Sequence, residues 1–371
     1  MNNKLSILLS IFIFAGSANC GFNIKDVDFY ITKMTIEEKT GQMFMIGGIG
    51  PDKLINPELY QKYHFGNVFL GSADLKNLSL EQISKLTKKL QNIANKYNKI
   101  PLLISTDQEG GKVNRLQKGF KVAPSQFEVG EKYNIEQAEQ LAANTAGQMS
   151  VLGINVNFSP VVDVNTNNKS HVALSSRVFS SDPEKVARYG IAYQKGYAKY
   201  NVIGTLKHFP GYGNVSPDPH KHLPVSNKTY DELAKCEFLP YIESIKAGVV
   251  DMIMTAHIGL PKIDNDEIIP ATYSKNVIFG ILRQKIGYNG VIVTDDLNMG
   301  GAIEKNQNSS QLAIKTINSG VDLLLFVGFE QKQINIYNSI VKAVKNGKIP
   351  VSRIDESVKR ILLLKLKYRL K

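Results

Sequence analysis

Tryptophan is absent from these 371 residues, and cysteine occurs only twice, at Cys20 and Cys236. Two cysteines build no disulfide framework, so stability must come from a packed core. After the first twenty residues no run is long and apolar enough to span a bilayer. Arginine-rich blocks and basic segments interleaved with aromatics are also missing. The chain is still basic, with 45 Lys+Arg against 33 Asp+Glu and a net charge of +12. Its lysines are scattered among Asn and Ile along the whole length. That dispersal argues against a nucleic-acid partner and leaves a compositional bias, or attraction to an acidic polymer. No low-complexity linker marks a second domain. Histidine is scarce as well, with six in the chain. Yet His208, His220 and His222 fall close together in GTLKHFPGYGNVSPDPHKHLP, a stretch broken by Pro210, Gly211, Gly213, Pro217 and Pro219. A loop of this composition is a poor place for a packed core.

With 43% hydrophobic and 21% charged residues, the composition is that of a soluble globular protein. The first twenty residues, MNNKLSILLSIFIFAGSANC, read as a targeting segment. Lys4 supplies the positive end, Leu5 to Phe14 the apolar stretch, and Ala15-Gly16-Ser17-Ala18 the small-residue exit. A retained anchor or a core helix is the competing reading. Ser17-Ala18-Asn19-Cys20 resembles a relaxed bacterial lipoprotein signal, with Asn19 departing from its stricter form. Export to the periplasm, or lipid anchoring to the envelope at Cys20, is therefore expected.

Short apolar runs alternate with helical periodicity. Eight strands are predicted, at Gln42–Ile46, Gly66–Leu70, Leu102–Thr106, Ile154–Ser159, Val202–Leu206, Val250–Thr255, Gly290–Thr294 and Asp322–Val327. The helical stretches are Leu80–Tyr97, Glu136–Leu152, Asp182–Tyr200, Tyr230–Ala247, Val277–Ile286, Ser309–Asn318, Gln331–Asn346 and Val351–Tyr368. Cys236 falls inside the fourth of these. Apolar strands without strict alternation are buried on both faces, as in parallel sheets. Eight β-then-α units predict an α/β fold, a single-domain (β/α)8 TIM-like barrel over residues 21–371. A doubly wound open sheet is the alternative.

In such a barrel the chemistry sits on the loops that follow the strands. Those loops carry Asp107-Gln108-Glu109-Gly110-Gly111, Asp163, Arg177, Lys207-His208, His257 and Asp295-Asp296. Cleaving a bond between two sugars needs a proton donor and a group that supports a positively charged carbon, by covalent attack or by electrostatics. Asp295, directly after a buried-type strand, fits the second role. Asp296 reads as a cap on the following helix. His220 fits the first role, because imidazole gives and takes protons near neutrality, and Asp218 two residues away can orient it. An exposed loop histidine with an incidental acid is the plain alternative. Zinc is a further one, although DPHKH lacks helical HExxH spacing and has no cysteine nearby. Lys207 and His208 can donate to hydroxyls and Asp107 can accept from a pair of them. Arg115 and Arg177 can donate to sugar oxygens or an acyl group. Each of these also has a structural reading, as a snorkelling lysine, a core histidine or a surface arginine. Gly47-Gly48-Ile49-Gly50 hints weakly at a dinucleotide loop. It is set aside because a proline and a loop follow where a helix should open.

KHFPGYGNVSPDPH resembles the KHFPGHG-x4-DSH signature of glycoside hydrolase family 3, in its NagZ-like β-N-acetylglucosaminidase (β-N-acetylhexosaminidase) branch. STDQEGGKVNRL, NFSPVVDV, MTAHI, VTDDLNM and RIDESVKRILLLKLK resemble that family in the same order, from about Lys33 onward. The resemblance implies a barrel and a retaining, two-step glycosidase without a cofactor or metal. Asp295 would be the nucleophile, with His220 as acid and then base, partnered by Asp218. Asp107, Arg115, Arg177, Lys207 and His208 would hold a terminal N-acetylglucosamine. Larger β-glucosidases of the family borrow a glutamate acid from a second domain. The length here leaves no room for that domain, which favours His220. Two positions depart from the pattern: Tyr212 stands where a second histidine is usual, and Pro219 where a serine is. The implied substrate is a cell-wall (peptidoglycan) fragment or a chitin-type oligosaccharide, acted on by a monomer. A phosphorylase, a β-glucosidase, or a non-catalytic wall-sugar-binding lipoprotein are the alternatives.

Overall fold

The computed structural model describes residues 26–116, 118–216, 222–302 and 308–370. Eight parallel strands form one sheet: β1 (Phe44–Gly47), β2 (Asn67–Phe69), β3 (Leu103–Thr106), β4 (Val156–Asn157), β5 (Ile203–Phe209), β6 (Met252–Thr255), β7 (Val291–Thr294) and β8 (Leu324–Val327). Their order is β8-β1-β2-β3-β4-β5-β6-β7. A parallel bridge between Val293 and Leu323 joins the two ends, so the sheet closes into a barrel. The expected (β/α)8 architecture is the one found, and every predicted strand lies on an observed one. These strands are buried on both faces, as their unalternating Val, Ile, Leu and Phe content requires. Helices such as Leu80–Tyr97, Ile135–Val151, Pro183–Ala198, Glu330–Lys345 and Val351–Lys367 cover the outside. Several begin with a capping box, for example Ser79 with Gln82 and Asn134 with Gln137.

Three local features differ from the sequence reading. The helix expected over Tyr230–Ala247 is two, Tyr230–Lys235 and Leu239–Lys246, and Cys236 sits at the break. Pro240 is the reason: lacking an N–H, it is tolerated in the first turn of a helix but not in its interior. β5 runs three residues past its predicted end and includes Lys207 and His208. Its pairing with β6 shifts register between Leu206 and Phe209. The shift interrupts side-chain alternation, and both Lys207 and His208 reach the barrel mouth. A one-turn helix, Pro51–Leu54, does open after the Gly47–Gly50 run. The amides of Gly48 and Gly50 are already taken by the Asp74 carboxylate, at 2.9 and 2.8 Å. That leaves them no phosphate to bind.

Candidate active site

A short hairpin absent from the sequence reading follows β3. Gln108–Gly110 pairs with Val113–Asn114 across a turn at Gly110 and Gly111, whose φ values are +98° and +59°. A side chain at Gly110 would also meet Pro124 O at 2.4 Å, so only glycine fits this turn. The hairpin returns the chain over the mouth, where Gln108 Oε1 accepts the N–H groups of Arg115 and Leu116 at 3.1 Å each. Arg115, eight residues past Asp107, thereby meets it at 3.3 Å.

Around this hairpin the barrel mouth holds a buried ring of charge. Lys207 Nζ lies 2.9 Å from Asp107 and 2.6 Å from Glu109. Arg177 grips Glu109 with two parallel bonds of 2.8 Å, from Nε and Nη2. Arg177 Nη2 also approaches His208 Nε2 at 3.3 Å. A guanidinium can only donate, so Nε2 is the acceptor and the ring proton sits on Nδ1. That Nδ1 faces Asp163 Oδ2 at 2.8 Å. Three carboxylates (Asp107, Glu109, Asp163) thus balance three permanent cations (Arg115, Arg177, Lys207).

Balance is what makes the burial tolerable. Burial alone would raise the Asp107 carboxyl, but Lys207 and then Arg115 outweigh it and hold the group low. Burial opposes ionisation of Glu109 too, and Arg177 and Lys207 drive it well below the carboxylate range. Desolvation pulls the Lys207 ammonium down, while Asp107 and Glu109 more than restore it. All stay charged at neutral pH. Ion pairing does not exhaust the donors: among the described residues Lys207 uses two of its three N–H groups, and Arg115 gives one N–H of Nη1 to Ser72 and one of Nη2 to Asp107, leaving the other of each.

These groups face a cavity of 330 Å³. Asp107, Arg115, Arg177, Lys207, His208 and Asp295 all line it, so the described site residues expected from the sequence share one pocket. Its apolar walls include Phe69, Phe158, Met254, Met299, Leu325 and Val327. Asp295 follows β7, its amide held by Thr255 O at 3.2 Å. Asp296 lines the cavity as well and, among the described residues, caps no helix. Its Oδ1 accepts the N–H groups of Asn298 and Val327, both at 3.0 Å, and ties the β7 loop to the end of β8. Burial, with a smaller push from Asp295, raises the Asp296 carboxyl to about 6. His257 is turned into the core, with Nε2 on Asp296 O at 3.1 Å.

Tyr212 closes the pocket between the ring of charge and Asp295. Its amide bonds Asp163 Oδ1 at 2.7 Å, its hydroxyl accepts His257 N–H at 2.9 Å, and its ring lies 5.0 Å from that of His208. Burial, then the charge of Asp295, pushes the phenol well above its usual range, so it remains protonated. One residue on, a Cβ at Gly213 would fall 1.7 Å from Val164 O, and only glycine lets the two loops meet there. The limbs of the next loop are clasped by Asn214 Nδ2 to Ser226 Oγ at 2.9 Å. Asp218 and His220, which that loop carries, lie outside the described residues, as does Cys20. Glu109 and Asp163 are the structural partners that sequence reasoning left unassigned, although both stand in rim segments. His171 and Ser175 also line the pocket, and no local signal marked them.

The family model for the glycosyl hydrolase family 3 N terminal domain matches residues 35–364. Beta-hexosaminidase A of Pseudoalteromonas piscicida is 34% identical over 330 residues, covering 84% of this chain and 54% of that protein. This chain therefore spans about half the length of that relative. Beta-hexosaminidase LpqI of Mycobacterium tuberculosis is 30% identical over 334 residues, covering 88% of this chain and 82% of its own. Among solved structures, a glycoside hydrolase family 3 beta-N-acetylglucosaminidase from Paenibacillus sp. superposes with a TM-score of 0.86 at 36% identity. The match covers 91% of this chain and 63% of that one.

Proposed function

The chain belongs to glycosyl hydrolase family 3, and on that premise we propose that it is an exo-acting, retaining β-N-acetylglucosaminidase. The observation that carries the reading is the cavity floored by buried, paired charges with donors to spare. Such a pocket takes one polar ring and stops, which suits removal of a terminal sugar. The spare N–H groups of Lys207 and Arg115 and the lone pairs of Asp107 suit vicinal hydroxyls. Relatives bearing beta-hexosaminidase names support N-acetylglucosamine as that ring.

In the first step an oxygen of Asp295 bonds to the anomeric carbon as the glycosidic C–O bond breaks. The departing oxygen takes a proton from His220, which Asp218 orients. In the second step water attacks that carbon, gives a proton to His220 and releases Asp295. Burying the ring of charge excludes competing water and fixes the sugar without reorganisation. The substrate class is a cell-wall fragment or a chitin-type oligosaccharide. The N-terminal twenty residues are proposed to export the barrel, with Cys20 as the lipid attachment point, and residues 21–371 to act as one catalytic monomer without metal or cofactor.

A panel of nitrophenyl β-glycosides tests the reading. Release from the N-acetylglucosaminide should exceed release from the glucoside by at least tenfold. The reverse preference makes the protein a β-glucosidase. Binding of N-acetylglucosamine without any release makes it a sugar-binding protein. The same reactions run with and without phosphate separate hydrolysis from phosphorolysis, since a sugar 1-phosphate as main product replaces water as the acceptor.

A further inference from the structure

Single exposed apolar side chains are ordinary on protein surfaces. Phe329 differs in its backbone and in its place. It is 74% exposed. Its φ and ψ are +53° and +66°, a left-handed conformation uncommon for a bulky residue. It directly follows Gly328, whose φ is +78°. It also stands two residues past Val327, a wall of the pocket, on the loop at the carboxyl end of β8.

The loop is held in this shape from several sides. Gln333 Nε2 bonds Phe326 O at 3.2 Å and Gly328 O at 2.5 Å. Phe329 O accepts the amides of Lys332 and Gln333, at 2.9 and 3.2 Å. Lys332 Nζ reaches Asn298 Oδ1 at 2.6 Å, and Asn298 Nδ2 bonds Val327 O at 2.9 Å. The phenyl group is therefore carried on a scaffold stapled to the Asp295-Asp296 loop. Folding gains little from this: a strained backbone holds a large apolar side chain in water. Binding would gain, because an aromatic face matches the apolar C–H face of a pyranose.

We propose that Phe329 is a stacking platform for the second sugar ring of the substrate, the part that projects beyond the terminal residue in the pocket. The inference rests on the glycosidase reading. It assigns the β8 side of the rim, and not the opposite β4 side, where the 67%-exposed Leu174 neighbours the pocket-lining Ser175.

The test compares two substrates of the full chain. Triacetylchitotriose extends over the rim, whereas β-N-acetylglucosaminyl fluoride has a single-atom leaving group and does not. Phe329→Asn removes the ring and tolerates a left-handed backbone, and Phe329→Tyr keeps a ring. For Phe329→Asn the kcat/KM on the trimer should fall about fivefold, mainly through KM. Its values on the fluoride should stay at wild type, and Phe329→Tyr should match wild type on both. An unchanged trimer reaction, equal losses on both substrates, or a loss in Leu174→Ala with none at Phe329 overturns the platform. A wild-type chain that cleaves neither substrate overturns the glycosidase reading itself, and this inference with it.

Discussion

The barrel buries charge at both ends, and the two clusters are built differently. At the end opposite the pocket, Asp322 precedes β8 and meets three arginines. Its Oδ2 takes Arg283 and the amide of Ile292, and its Oδ1 takes Arg353, Arg360 and Ser357 Oγ. Both oxygens are saturated. Arg283 also donates to Tyr288 O and Gly290 O, and Arg353 to Ile317 O and Val321 O. The cluster stitches the final helix to the barrel. At the mouth, Lys207 and Arg115 retain donors beside a cavity. Burial of charge is common to both ends, so it does not by itself mark a site. Hydrogen-bonding capacity left over next to open space does.

The sharpest break between the two ends should come from Asp295→Ala. Loss of the proposed nucleophile is expected to lower kcat by about 10^4-fold or more. Thermal melting should stay close to wild type, because among the described residues Asp295 pairs with no buried cation. Full residual turnover on an aryl N-acetylglucosaminide would remove Asp295 from its role.

Asp322→Asn is expected to act in the other direction. Leaving three guanidinium groups without their anion should cost about 3–5 kcal/mol of stability, read from urea titration. The enzyme that remains folded should keep its kcat/KM. Glu109→Gln should cost a comparable amount, by stranding Arg177 and Lys207, and should raise KM as well. Equal catalytic damage in both variants would erase the distinction between stitch and site.

Acid should act on both ends in the same direction. Asp107, Glu109 and Asp322 all have carboxyls held below their ordinary range in the folded state. Their stabilisation is fully present above the unfolded carboxylate range, about pH 4, and is lost as pH falls through their lower folded values. The stability gap between wild type and Asp322→Asn should therefore narrow below about pH 4. A gap that stays constant down to pH 3 would contradict the assigned ionisation.

Asp296 carries the opposite sign and the smallest expected effect. Its folded value of about 6 lies above the unfolded one, so its contribution is present at low pH and lost as pH rises through 6. Asn keeps an oxygen for the amides of Asn298 and Val327 and cannot ionise. Asp296→Asn should stabilise the protein by about 1–3 kcal/mol at pH 7.5 and by little at pH 4. Destabilisation at both pH values would show that the carboxylate charge is needed there.

Much of this was legible before any coordinates. Alternating apolar runs and helical periodicities marked all eight strands and most helices, because burial on both faces leaves an unbroken hydrophobic signature. The hairpin after β3 was invisible, since two- and three-residue strands are too short to show a period. The break at Cys236 was readable in principle from Pro240. Within the site, Asp107, Lys207, His208 and Asp295 stood out as polar residues at strand ends, whereas Arg115 and Arg177 were loop arginines singled out by the resemblance. What stayed hidden was who pairs with whom. Glu109 meets Arg177 across 68 residues and Lys207 across 98, and Asp163 meets His208 across 45.

By itself, the order of apolar and polar residues determined the barrel and the rim on which its chemistry stands. Strand burial and the position of loops after strands are local consequences of pattern. Only the closed barrel decided which rim charges neutralise one another and which keep donors facing the cavity. Partnership depends on distances between loops far apart in the chain, and those distances exist only once the sheet has closed.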